Sequence, residues 1–244
     1  MSIVKFSVVI PLYNKVDSVS RTLASICEQR FAEDQCFASN YQKVFADADY
    51  RDPKLAIGDI TPMGSVMNNY FEVCTKEDLT FMPSSLVISS QLFKPLGGFP
   101  VGEAMGEDQA LFSQIALQAN LVYSPLVLML YHTDSKNRAY GRHIPQDVLP
   151  FAKRLLAKVA AGEVDKASAP FVLKYYAARI CHLAKINIQA GQFSAIKQLL
   201  KHPISKLKPL HRKLFGVWLV TKSFFCTMAN LARVNCQAAR TNSL

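Results

Sequence analysis

The chain lacks the residue spacings that announce a metal centre or a disulfide frame. Its six cysteines (Cys27, Cys36, Cys74, Cys181, Cys226 and Cys236) are scattered, with no Cys-x-x-Cys or Cys-x-x-His pair. The five histidines are dispersed too, and no His-Glu-x-x-His pattern occurs. This usage excludes the common zinc frameworks and reads as buried or incidental thiols in a reducing cytoplasm. Long apolar runs are also missing. The longest candidate, within 213–234, is interrupted by Lys222, which leaves too little to span a bilayer. The N-terminal apolar run is ended by Pro11, which suits a buried strand better than an export signal. Acidic residues are nearly absent from the C-terminal part. Residues 145–244 hold 16 Lys+Arg against 3 Asp+Glu, whereas the first 144 residues hold 12 against 15. The formal charge of +10 therefore belongs to the C-terminal part alone, which implies two regions with different surroundings.

What is present suffices for a core. Half of the 244 residues are hydrophobic, so the chain is globular and not disordered. Residues 6–12 form a short β-branched apolar run, the signature of a strand buried on both faces. A turn with helix-capping residues follows at Asn14–Asp17. Val19, Leu23, Ile26 and Cys27 then recur at helical spacing through 17–29. Strand, loop and helix in that order open a βαβ unit, and such units place ligands at the carboxyl ends of their strands.

Farther along, "QCFASNYQKVF" predicts one or two strands with a turn around Asp47–Asp49, and "RDPKLAIGDITP" predicts a loop. A short helix is expected in "GSVMNNYFEVC", a loop leading into a strand over 78–89, and a short helix over 90–96. Gly97, Gly98 and Phe99 make a turn. Residues 107–119 form an amphipathic helix with Leu111, Ile115 and Leu117 on its apolar side, and "NLVYSPLVLMLYH" supplies a last strand pair. After Pro145 the Gly, Pro and capping punctuation delimits four helices, with no sustained repeat.

Two segments, "SVVIPLYNKVDSVSRTLASI" and "GGFPVGEAMGEDQALFSQIAL", resemble family-2 glycosyltransferases, nucleotide-diphospho-sugar transferases of the GT-A fold. The resemblance covers about 6–29 and 36–132. It implies an α/β fold, with an abbreviated, Rossmann-like GT-A domain over 1–143 and an α-helical basic region over 144–244. The implied activity is transfer of a sugar from a nucleotide-diphosphate donor to a hydroxyl of a glycan or lipid-linked acceptor, in cell-surface polysaccharide synthesis. In that scheme Asp108 is the general base and Glu107 its orienting or capping neighbour. Pro11, Tyr13 and Asn14 contact the nucleotide, His132 lies near the diphosphate, and Mn or Mg is the implied cofactor. Physically, an aromatic and an amide at a strand's carboxyl end can stack on a base and hydrogen-bond to it. A base at Asp108 needs an ionised carboxylate within hydrogen-bond reach of the hydroxyl. Each motif also has a plainer reading: a buried strand before a capped helix, and acidic residues favoured by the dipole of a first helical turn.

The chain departs from the family between these segments. The nucleotide-binding Asp-Asp-Gly-Ser-like turn and the metal-binding Asp-x-Asp strand end are missing from their places. Asp47 and Asp49 in "VFADADY" have the Asp-x-Asp form, but they come early and precede "RDPKL", which suits a hairpin tip. Metal ligands and a solvated turn are both open readings of that pair. An internally shortened sheet is expected to leave an unpaired edge and exposed apolar surface. The alternative function is a catalytically inactive remnant that serves as a membrane-associated interaction module or has no activity. Residues 213–234, with Trp218 and the flanking Arg212, Lys213 and Arg233, fit a helix lying on an anionic membrane, at the cytoplasmic face of the inner membrane. Packing against the rest of the protein is the other reading. No nucleic-acid reader motif accompanies the basic charge, so no nucleic-acid partner is expected.

Overall fold

In a computed structural model, the structure describes residues 36–134 and 144–221, apart from 56, 59, 62, 63, 77, 211, 218, 219 and the side chains of Asp47 and Lys76. The expected strand 6–12, helix 17–29 and nucleotide contacts Pro11, Tyr13 and Asn14 lie outside the described residues, as does Trp218.

Among the described residues, five strands make an open mixed sheet: β1 (Cys36–Val44), β2 (Tyr50–Arg51), β3 (Ser65–Val66), β4 (Leu86–Ile88) and β5 (Val122–His132). The central pair is β1 and β5, which run parallel from Phe37↔Val122 to Val44↔His132. The other face-to-edge positions are short. β4 lies antiparallel to the start of β1 (Cys36↔Ile88) and β2 to its end (Lys43↔Arg51), while β3 pairs with the start of β5 (Ser65↔Tyr123). The turn expected around Asp47–Asp49 is the loop of the β1–β2 hairpin, closed by the Phe45 amide donating to the Asp49 carbonyl at 2.9 Å.

The strand pair expected over 120–132 is instead one strand. Ser-Pro normally punctuates a chain, because proline cannot donate to a ladder. Here the β1–β5 register slips on either side of Asn40, so residues of β5 around Pro125 are left without a one-to-one partner and the strand continues beyond them. The helix expected within 64–74 is shared between β3 and a later helix. Long-range pairing takes its first half: the Met67 amide donates to the Leu121 carbonyl at 2.8 Å.

Among the described residues up to 201 the helices are α1 (Tyr70–Lys76), α2 (Ser90–Phe93), α3 (Glu107–Gln118), α4 (Pro150–Ala160), α5 (Ala169–Gln189) and α6 (Phe193–Lys201). Pro150 opens α4 and Pro170 lies in the first turn of α5, where a missing N–H costs nothing. α6 buries Ala195, Ile196, Leu199 and Leu200, a helical stripe, and leaves its polar side in water. α5 buries 11 of its 21 residues, which requires neighbours on several sides. It has them. One buried cluster joins Cys36 and Ala38 of β1, Tyr70, Phe71 and Cys74 of α1, Leu111, Phe112 and Ile115 of α3, Phe151 and Leu155 of α4, Tyr175 and Ile180 of α5, and Ile196 and Leu199 of α6. Asn187, fully buried on α5, donates through Nδ2 to the carbonyls of Pro145 and Leu183, both at 2.8 Å. Among the described residues, no helix is long and apolar enough to cross a membrane.

Candidate functional site

The Gly-Gly-Phe turn is built by the end of α2. The Gly98 amide donates to the Phe93 carbonyl (3.2 Å) and the Gly97 amide to the Lys94 carbonyl (3.0 Å), the paired bonds of a Schellman helix stop. Gly97 has φ 83°, the left-handed conformation that such a stop requires. A Cβ on Gly98 would come within 2.9 Å of the Phe93 ring, which in turn stacks edge-on against Phe99. The loop then returns to α4. Glu103 binds the Arg154 guanidinium through both carboxylate oxygens. Gly106, at φ 85°, lets the backbone pass so close to Phe151 that a Cβ would lie 2.8 Å from its ring.

This path delivers Glu107 and Asp108 into the first turn of α3. Asp108 is half-buried, and its Oδ1 accepts from the Gln109 amide at 2.7 Å. Burial pushes its carboxyl up to about 6; the Glu107 charge acts in the same direction, and the Gln109 amide and the Arg179 guanidinium oppose it. Its charged and titratable company comes from three elements: Glu107 on α3 itself, Tyr70 on α1, and Tyr175 and Arg179 on α5. Burial raises both tyrosine hydroxyls, so they stay neutral.

Arg179 is fixed from several sides. Its Nη2 donates to the Cys74 carbonyl at 3.1 Å, its guanidinium lies 5.2 Å from the centre of the Tyr175 ring, and Tyr175 donates to Gln109 Oε1 at 3.1 Å. Lys208 Nζ donates to the adjacent Thr75 carbonyl at 3.0 Å. Two cations thus satisfy carbonyls at the end of α1, where the helix dipole is negative. Sequence reasoning missed Arg179, Tyr70 and Tyr175, because they reach Asp108 only through tertiary packing. One signal was available: Arg179 is a cation four residues from Tyr175 inside a long helix that buries 11 of its 21 residues.

His132 has different surroundings. It is exposed at the end of β5 and pairs with Val44. Beside it the Thr133 amide and hydroxyl both donate to the Val44 carbonyl, at 2.8 and 3.0 Å. The carboxyl ends of the parallel strands therefore carry His132 together with the hairpin loop 45–49, whereas Asp108 sits among α1, α3 and α5. Asp49 is exposed at that loop, and its Oδ2 accepts from Arg51 Nε at 2.8 Å. Among the described residues, no group of three or more His, Cys, Asp or Glu side chains is placed to hold a metal ion. A hollow of about 60 Å³ lined by Asn68, Asn69, Phe71, Glu72, Ser168 and Phe171 contains none of the expected site residues. It is far below the ~300 Å³ at which small-molecule pockets begin.

The arrangement offers one half-buried carboxylate that is ionised at neutral pH and still basic enough to take a proton. No family model and no curated protein matches the chain.

Proposed function

We propose that this chain is a glycosyltransferase-like protein of the family-2, GT-A type, in which Asp108 is the general base. The observation that carries the reading is the placement of Asp108: in the first turn of a helix, after a Gly-Gly-Phe turn, with its carboxyl raised to about 6. In the reaction, the acceptor hydroxyl oxygen forms a bond to the anomeric carbon while the bond from that carbon to the diphosphate oxygen breaks. The hydroxyl proton passes to Asp108, and the electron pair leaves with the nucleoside diphosphate. By resemblance, Pro11, Tyr13 and Asn14 contact the nucleotide, His132 lies near the diphosphate, and Glu107 orients Asp108 or caps α3. Mn or Mg would neutralise the leaving diphosphate. The described residues do not assemble a ligand set for it, so no step here is routed through the ion.

The test has two parts. Calorimetry with UDP or GDP and manganese should give heat of binding, and Asp108→Asn should preserve it while lowering sugar transfer by about 10²–10⁴-fold. In the unsubstituted protein, transfer should fall below a pH of about 6, where Asp108 takes up its proton. Absence of binding to any nucleotide would overturn the reading. The second reading, an inactive remnant that acts as an interaction module, is favoured by the missing Asp-Asp-Gly-Ser and Asp-x-Asp segments, and that same outcome would select it.

A further inference from the structure

The last described helical residues, 209–210, 212–217 and 220–221, present apolar side chains outward. Leu210, Leu214, Val217 and Val220 are 65%, 57%, 64% and 69% exposed, and they fall at i, i+4, i+7 and i+10, along one side of a helix. The opposite side holds this orientation in place. Phe215 packs against the buried cluster, Arg212 Nε donates to the Leu200 carbonyl at 3.3 Å, and Lys208 at the entry to the helix is tied to the end of α1. The helix is therefore inverted relative to an ordinary surface helix, with apolar residues toward solvent and a cation toward the protein. Exposed Lys206 precedes the stripe, and exposed Lys213 borders it on the helix. Both belong to the region of 16 cations and 3 acids.

We propose that the helical face carrying Leu210, Leu214 and Val217 docks the protein on an anionic lipid surface. Leu210, Leu214 and Val217 enter the boundary between headgroups and acyl chains, and Lys206 and Lys213 face the acidic headgroups. An exposed apolar stripe marks an interaction surface, and the surrounding positive charge selects an anionic bilayer over a second copy of this equally basic chain. The inference goes beyond the transferase reading and does not need Asp108 to be a base.

The 244-residue chain would be sedimented with vesicles of phosphatidylcholine, alone or mixed with phosphatidylglycerol, at low and high salt and without any nucleotide. Binding is expected only to the anionic vesicles, to weaken with salt, and to drop by at least about tenfold in Leu214→Glu/Val217→Glu. Lys206→Gln and Lys213→Gln should each weaken it roughly fivefold. All four side chains are exposed, so unchanged thermal unfolding is expected and is the control for folding. If the double glutamate variant does not fold, the lysine variants decide. Failure to bind anionic vesicles, or binding insensitive to these substitutions, would overturn the proposal. So would a concentration-dependent dimer without lipid that the glutamate variant dissolves.

Discussion

Asp108 costs the folded protein stability at the pH where its chemistry would operate. Its carboxyl is raised to about 6 from an ordinary value near 4, chiefly by burial. The native state therefore holds the proton more tightly than the unfolded chain does. The proton-bound form is favoured below the unfolded value, and that contribution is lost as pH rises through about 6. Replacing Asp108 by Asn removes the penalty of a half-buried charge. Urea unfolding at pH 7.5 should show Asp108→Asn more stable by about 1–2 kcal/mol, after discounting for its partial exposure to solvent, with the difference vanishing near pH 3.5. A gain that persists unchanged at the lower pH would mean that the Asn side chain packs better, and that no ionisation penalty exists. Glu107 and Asp108 could be read from the order Gly-Glu-Asp ahead of an apolar period. Arg179, more than 70 residues away in sequence, could not, because its part in the site depends on α5 packing against α1 and α3.

Local chemistry made most of the elements readable. The stop at Gly97–Gly98, the hairpin around 45–49, α3 and α4–α6 follow from turn residues, caps and apolar periods that act within a few positions. Elements that depend on distant partners were misread. β3 exists because Ser65 and Val66 find Tyr123 and Val122, and β5 passes Pro125 because β1 accommodates the irregularity. The glycines of the 97–106 loop allow this division between local and distant constraint to be measured. Gly102 and Gly106 have nearly the same φ, 83° and 85°, but a Cβ on Gly102 meets nothing within 4 Å while one on Gly106 meets Phe151 at 2.8 Å. Gly102→Ala should cost only the left-handed strain, about 1 kcal/mol. Gly106→Ala should cost about 2–4 kcal/mol, since displacing the Phe151 ring from a packed core adds to that strain. Thermal unfolding of the two variants checks this. Equal losses would show that the loop, and not its contact with α4, sets the position of Asp108.

At the scale of the molecule, charge and packing divide the chain differently. Charge changes sign near residue 145, which is what suggested a basic tail. The buried cluster has no corresponding break: α5 lies against α1, Asn187 holds the Pro145 carbonyl, and Arg179 closes the end of α1 while sharing Gln109 with Tyr175. Helical side chains after residue 144 therefore contact Tyr70, Phe71 and the first turn of α3 directly. The sheet segment already carries exposed apolar surface, with Leu126, Leu128 and Leu130 near half exposed on alternate positions of β5. Removing α4–α6 would add the buried faces of α1 and α3 to it, far more apolar area than a small α/β unit leaves in water. A chain ending at residue 143 should consequently show no cooperative thermal transition, bind a hydrophobic dye and self-associate, whereas the full chain unfolds in one transition. A sharp transition from the shortened chain, with dispersed amide resonances, would show that the sheet and α1–α3 form a core without α5. In that case the change of charge at residue 145 would mark a folding boundary, and the position of Asp108 would not depend on Arg179.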